Sequence, residues 1–142
     1  VTLDADELLA FYPPPIAATA RRLQRLMRST VPDAVERVRA GWRLIGYDLP
    51  VGRRFVYFAW IWPQPEHVHL GWQVGTLLDD PRRLLGGAEL ELKKVRYLTF
   101  APDERLETGP AVAFTREAAR IARLSPGEQQ AMRHARSLVS SR

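Results

Sequence analysis

Residues 53–62, Arg-Arg-Phe-Val-Tyr-Phe-Ala-Trp-Ile-Trp, constrain this chain more than any other stretch, because from Phe55 onward every residue is apolar or aromatic on either parity. Pro50-Val51-Gly52 precedes the run and Pro63-Gln64-Pro65 follows it, so it has the length of a strand. Successive side chains of a strand point to opposite faces. Phe55, Tyr57, Ala59 and Ile61 are therefore expected on one face, and Val56, Phe58, Trp60 and Trp62 on the other. A strand apolar on both faces suits a central position covered on both sides, or one with a working exposed face.

The neighbouring segments extend this sheet. Residues 42–49 read as a strand, and residues 67–74 alternate Val68, Leu70, Trp72 and Val74 against His67, His69, Gly71 and Gln73. In residues 90–100, Leu90 and Leu92 share one parity while Val95 and Tyr97 share the other, which predicts a strand with a bulge near Lys93.

Helical signals lie on either side. Residues 6–12 read as a short helix closed by Pro13-Pro14-Pro15, which are placed to start the next. Ile16, Ala20, Leu23, Met27 and Val31 then recur at spacings of three and four. Thr30-Val31-Pro32-Asp33 reads as a capped restart, with Val35 and Val38 facing inward until Gly41. Thr108 is placed to cap a helix with Ala111, Phe114, Ala118 and Ile121 inside. Ser125-Pro126-Gly127-Glu128 is a capping box opening a last helix whose inner side is Met132, Ala135 and Leu138/Val139. Helices, then a meander, then helices predict an α+β two-layer sandwich: an antiparallel sheet of four to five strands flanked by N-terminal and C-terminal helices. The length, 142 residues, suits a single domain.

Composition excludes several function classes. Without cysteine there is no disulfide framework, thiol catalysis or Cys-based metal centre, which fits a cytoplasmic protein. No apolar run approaches the roughly 18 residues of a membrane span, and the acidic opening Asp4-Ala5-Asp6-Glu7 is unlike a signal peptide. The net charge of +5 comes almost wholly from arginine, so much of it reads as codon bias and solvated surface. Arg21, Arg22, Arg25 and Arg28, with Lys93, Lys94 and Arg96, are the candidate contacts to nucleic acid, expected to be weak and salt-sensitive.

No complete enzyme site is legible: Gly86-Gly87 lacks the context of a phosphate cradle, and no Gly-x-Ser-x-Gly occurs. His67 and His69 share a strand face at chelating spacing, with Asp79 or Asp80 available as an oxygen ligand, although ordinary strand surface is the plainer reading. Asp79-Asp80-Pro81 is turn chemistry first, and Glu89, Glu91 and Lys93 read as a charge ladder. Trp42 and Trp72 are expected in the core. Phe58, Trp60 and Trp62 form an aromatic wall suited to a small-molecule pocket or a homodimer interface, and with Trp72 they are the candidate ligand or interface residues.

The segment His67-Val68-His69-Leu70-Gly71-Trp72, followed by Gly75-Thr76-Leu77-Leu78-Asp79-Asp80-Pro81, Leu84-Leu85-Gly86-Gly87 and the basic Lys93-Lys94-Val95-Arg96, resembles the YdhG-like family of bacterial proteins. The resemblance spans roughly residues 8–123. It implies a compact α+β sandwich likened to frataxin and, as an alternative function, intracellular iron chaperoning with iron as the bound species. From the residues themselves, the expectation is a non-enzymatic binding or accessory domain, without a resident cofactor, that meets a small ligand, a protein or a second copy through its aromatic sheet face.

Overall fold

Proline sets the start of the longest helix. α1 (Ala5–Leu9) opens on a capping box, in which the Asp4 carboxylate accepts from the Glu7 N–H at 2.8 Å. After Pro13, α2 (Pro14–Thr30) begins with proline at its first two positions, where no backbone donor is needed. The computed structural model describes residues 2–102 and 105–140. It continues through β1 (Val35–Arg39), β2 (Leu44–Val51), β3 (Arg54–Pro63), β4 (Val68–Trp72), β5 (Arg96–Phe100), α3 (Thr108–Ala122) and α4 (Pro126–Ser140). The strands form one antiparallel meander in sequence order, and α2 and α3 pack across one face of it. The α+β class, with a sheet flanked by N-terminal and C-terminal helices, is as the residue pattern predicts.

The apolar stripe of α2 faces the sheet: Ile16, Ala20, Leu23, Met27 and Val31 are all buried. So are Ala111, Phe114, Ala118 and Ile121 of α3. Against them the sheet turns Ile45, Tyr47, Leu49, Phe58, Ala59, Ile61, Val68, Leu70 and Trp72. A fully buried Leu, Ile, Phe or Met contributes about 1.5–3 kcal/mol, so this single layer of contact holds the fold. Ser125 and Glu128 exchange the two hydrogen bonds of the expected capping box ahead of α4.

A bulge decides which aromatic residues the sheet presents. Tyr47 pairs with Ala59 and Asp48 with Tyr57, which leaves Phe58 as the extra residue of β3. Phe58 and Ala59 consequently both face the core, and the parity of the strand reverses there. The inner face receives Val56, Phe58, Ala59 and Ile61, and the outer face Phe55, Tyr57, Trp60 and Trp62. Neither alternating set expected for residues 53–62 survives whole. Phe58 is a core residue on the opposite face from the two indoles, and Trp72 lies against Phe114 with ring centroids 5.7 Å apart.

Other boundaries move for local reasons. The helix expected up to Gly41 is strand β1, because Val-Glu-Arg-Val-Arg carries β-branched residues and a partner edge on β2 is available. Trp42 is in a 3-10 turn (Ala40–Trp42) and is 76% exposed, so it is not in the core. The strand expected over residues 90–100 is confined to β5. Residues 88–91 are turns, with a left-handed Glu91, so the parity change there is not a bulge and Glu89 and Glu91 form no ladder. α3 starts at Thr108 after Glu107, without a side-chain cap. In α4, Met132 packs on the core, whereas Ala135, Leu138 and Val139 are exposed.

Candidate functional site: an apolar cleft on the open sheet face

Among the described residues no helix lies over the face of the sheet turned away from α2 and α3. At its centre Trp60 stands between two glycines, paired in register with Gly46 on β2 and Gly71 on β4. The indole lies over Gly71, where a Cβ would come within 2.6 Å of Cε2 and closer still to Cζ2 and Cη2. Its Nε1 donates to Gln73 Oε1 at 3.0 Å, so the buried N–H is satisfied. Over Gly46 lies the Arg39 side chain, its guanidinium 4.1 Å from the ring centroid of Tyr57. Trp62 meets Trp60 edge-on with centroids 6.4 Å apart, and Tyr97 approaches Trp60 at the same separation.

The missing helix layer is partly replaced by loops. Trp42 rises from the turn before β2, Leu44 from the first position of β2, and Leu90, Leu92 and Val95 from the segment before β5. That segment is anchored by reciprocal hydrogen bonds between Gly86 and Tyr97 and by Arg96, which donates to the carbonyls of Leu92 and Val95. Together these groups enclose a cleft of about 650 Å³, lined by indoles, phenol rings and aliphatic side chains with Arg39, His69 and Gln73 as its polar members. Such a volume falls among small-molecule sites. Trp62 is 40% exposed at the mouth, whereas Trp60 on the floor is nearly buried.

The electrostatics are quiet. Asp48, itself nearly buried, pairs with Arg39 at 3.1 Å and with Arg37 at 3.7 Å. Burial pushes the Tyr57 hydroxyl up to about 12, with Arg39 opposing the shift. Burial, and then the neighbouring His67, hold His69 down to about 4. Near neutral pH the phenol and the His69 imidazole are therefore uncharged.

His67 and His69 are brought together, Nε2 to Nε2 at 3.1 Å, and His69 Nδ1 is 2.9 Å from the Thr99 hydroxyl. Two imidazole nitrogens so placed can share an ion, but among the described residues no group of three or more His, Cys, Asp or Glu converges. Asp79 and Asp80 do not join the pair. The Asp80 carboxylate instead accepts from the Leu84 and Leu85 N–H groups at 2.8 and 2.9 Å, the turn role read from the sequence.

The candidate nucleic-acid residues fall into separate places. Arg21, Arg22, Arg25 and Arg28 lie on the solvent side of α2, where Arg21 pairs with Asp6 and Arg28 with Glu36. Lys93 and Lys94 are exposed in the segment that folds onto the other face of the sheet, and Arg96 is occupied by backbone carbonyls. No single basic surface unites them.

Reasoning from the sequence found Trp60, Trp62 and His69 but missed Arg39, Tyr57, Tyr97, Leu90 and Leu92. The signal for Arg39 is the pair of β-branched residues in Val-Glu-Arg-Val-Arg, which favour a strand although their spacing of three suits a helix. No helix among the described residues is long and apolar enough to cross a membrane. No known protein family, curated protein or solved structure matches this chain.

Proposed function

We propose that this chain is a non-enzymatic accessory domain that binds a small, largely apolar molecule in the cleft over Trp60. The observation that carries the reading is the backbone around the cleft. Among the described residues three non-glycine residues have positive φ, and two of them, Arg43 at 54° and Glu91 at 55°, are each flanked on both sides by cleft-lining residues. A left-handed conformation costs an L-residue roughly 1–2 kcal/mol, and such strain concentrates at ligand clamps. Here it aims Trp42 and Leu44 from one side and Leu90 and Leu92 from the other at the same space.

The test is a titration with the uncharged probe N-phenyl-1-naphthylamine, read by its emission. Saturable binding of one probe per chain is expected, weakened about tenfold by Trp62→Ser through loss of an aromatic contact. Non-saturable binding, or binding indifferent to Trp62→Ser, would overturn the reading. A second reading, a two-fold homodimer across this face, is supported by the rim, where Trp42 and Leu90 are 76% and 62% exposed. Sedimentation of the chain with and without Trp42→Ser separates the two.

A further inference from the structure

Resting on that reading, we infer that the ligand carries a single carboxylate on its apolar body and that this group faces Arg39. Twelve residues line the cleft, none of them is Asp or Glu, and Arg39 is the only permanent cation among them. Asp48 does not neutralise the end where Arg39 lies, because it serves two guanidiniums. Arg39 Nη2 donates to its Oδ1 at 3.1 Å, and Arg37 stands 3.7 Å from its Oδ2. One positive charge is left over at that end of the cleft.

The hydrogen-bond inventory points the same way. The Gln73 carbonyl is taken by Trp60, which leaves that side chain with its amide N–H groups to offer. The ring nitrogens of His69 are engaged by His67 and Thr99, so it presents carbon to the cleft. Apart from the Tyr57 and Tyr97 hydroxyls, which can donate or accept, the polar groups left over are donors, and a donor-rich end on an apolar cleft complements an anionic acceptor on an apolar molecule. Carboxylate is the planar, bidentate acceptor that a guanidinium fork matches.

The experiment compares 2-naphthoate with its uncharged isostere 2-naphthamide by calorimetric titration of the full chain. The acid should bind about tenfold tighter, the lower end of what a charge-assisted hydrogen bond gives at a partly exposed site. Arg39→Gln should bring the two affinities together. Asp48→Asn keeps the shape and removes the competing carboxylate, so it should widen the preference for the acid. It also provides a result of opposite sign should Arg39→Gln fail to fold. Equal affinities in the unaltered chain, a preference that survives Arg39→Gln, or a preference that Asp48→Asn narrows would each overturn the inference while leaving apolar binding in place. If neither compound binds, the cleft reading itself falls.

Discussion

Adding one methyl group at Gly71 should dismantle the floor of the cleft. The new Cβ of Gly71→Ala would overlap three carbons of the Trp60 indole, 2.6 Å from the farthest, so the ring has to leave its seat. Overpacking of this kind costs about 1–3 kcal/mol, and separating Trp60 Nε1 from Gln73 about 1 kcal/mol more. Against this, replacing glycine reduces the freedom of the unfolded chain by about 0.4–1 kcal/mol. The net loss is about 1–3.5 kcal/mol, or roughly 3–10 °C in Tm for a domain of this size. Urea unfolding followed by far-UV dichroism gives the stability, and tryptophan emission should shift to the red as the indole meets water. Trp60→Ala removes the obstacle, so Gly71→Ala in that background should be neutral or slightly stabilising. A neutral Gly71→Ala in the unaltered chain, or the same cost in both backgrounds, would refute the reasoning.

Other consequences are as direct. Asp80→Ala leaves the Leu84 and Leu85 N–H groups without their acceptor and should cost about 1–2 kcal/mol by urea unfolding. Trp42→Ser, at an exposed position, should change stability by less than about 0.5 kcal/mol in the same assay while weakening apolar probe binding. His69 has a folded pKa of about 4 against 6.5 in the unfolded chain, so the unfolded state takes up the extra proton between those values. Stability should therefore fall as pH drops from about 6.5 towards 4 and level off below, and His69→Gln should flatten this part of the urea midpoint against pH.

What could be read from the residues was whatever a single period decides. The stripes of α2 and α3 repeat at helical spacing and lie inside as expected, and the alternation through Val68, Leu70 and Trp72 places β4 with its correct face inward. The errors arise where local pattern and tertiary pairing disagree. Val35 and Val38 are three apart, as on a helix face, yet pairing with Leu44 to Asp48 makes their segment an edge strand. The Phe58 bulge is invisible in a run where every residue is apolar, because either parity satisfies the pattern; only the register with β2 shows which side each indole takes. The cleft shares this limitation. Trp60 and Trp62 stand out by composition, but Arg39, Tyr97 and Leu92 reach them through loops and register that no spacing encodes.

The indole N–H resonances of the four tryptophans report the central claim most directly. In a ¹H–¹⁵N spectrum, adding 2-naphthamide should move the Trp62 and Trp42 signals saturably and together, at the mouth and rim of the cleft, and shift Trp60 through its bond to Gln73. Trp72, sealed on the opposite face against Phe114, should stay still. Signals that do not respond, or a Trp72 signal that moves with the others, would contradict a ligand site on the open face of the sheet.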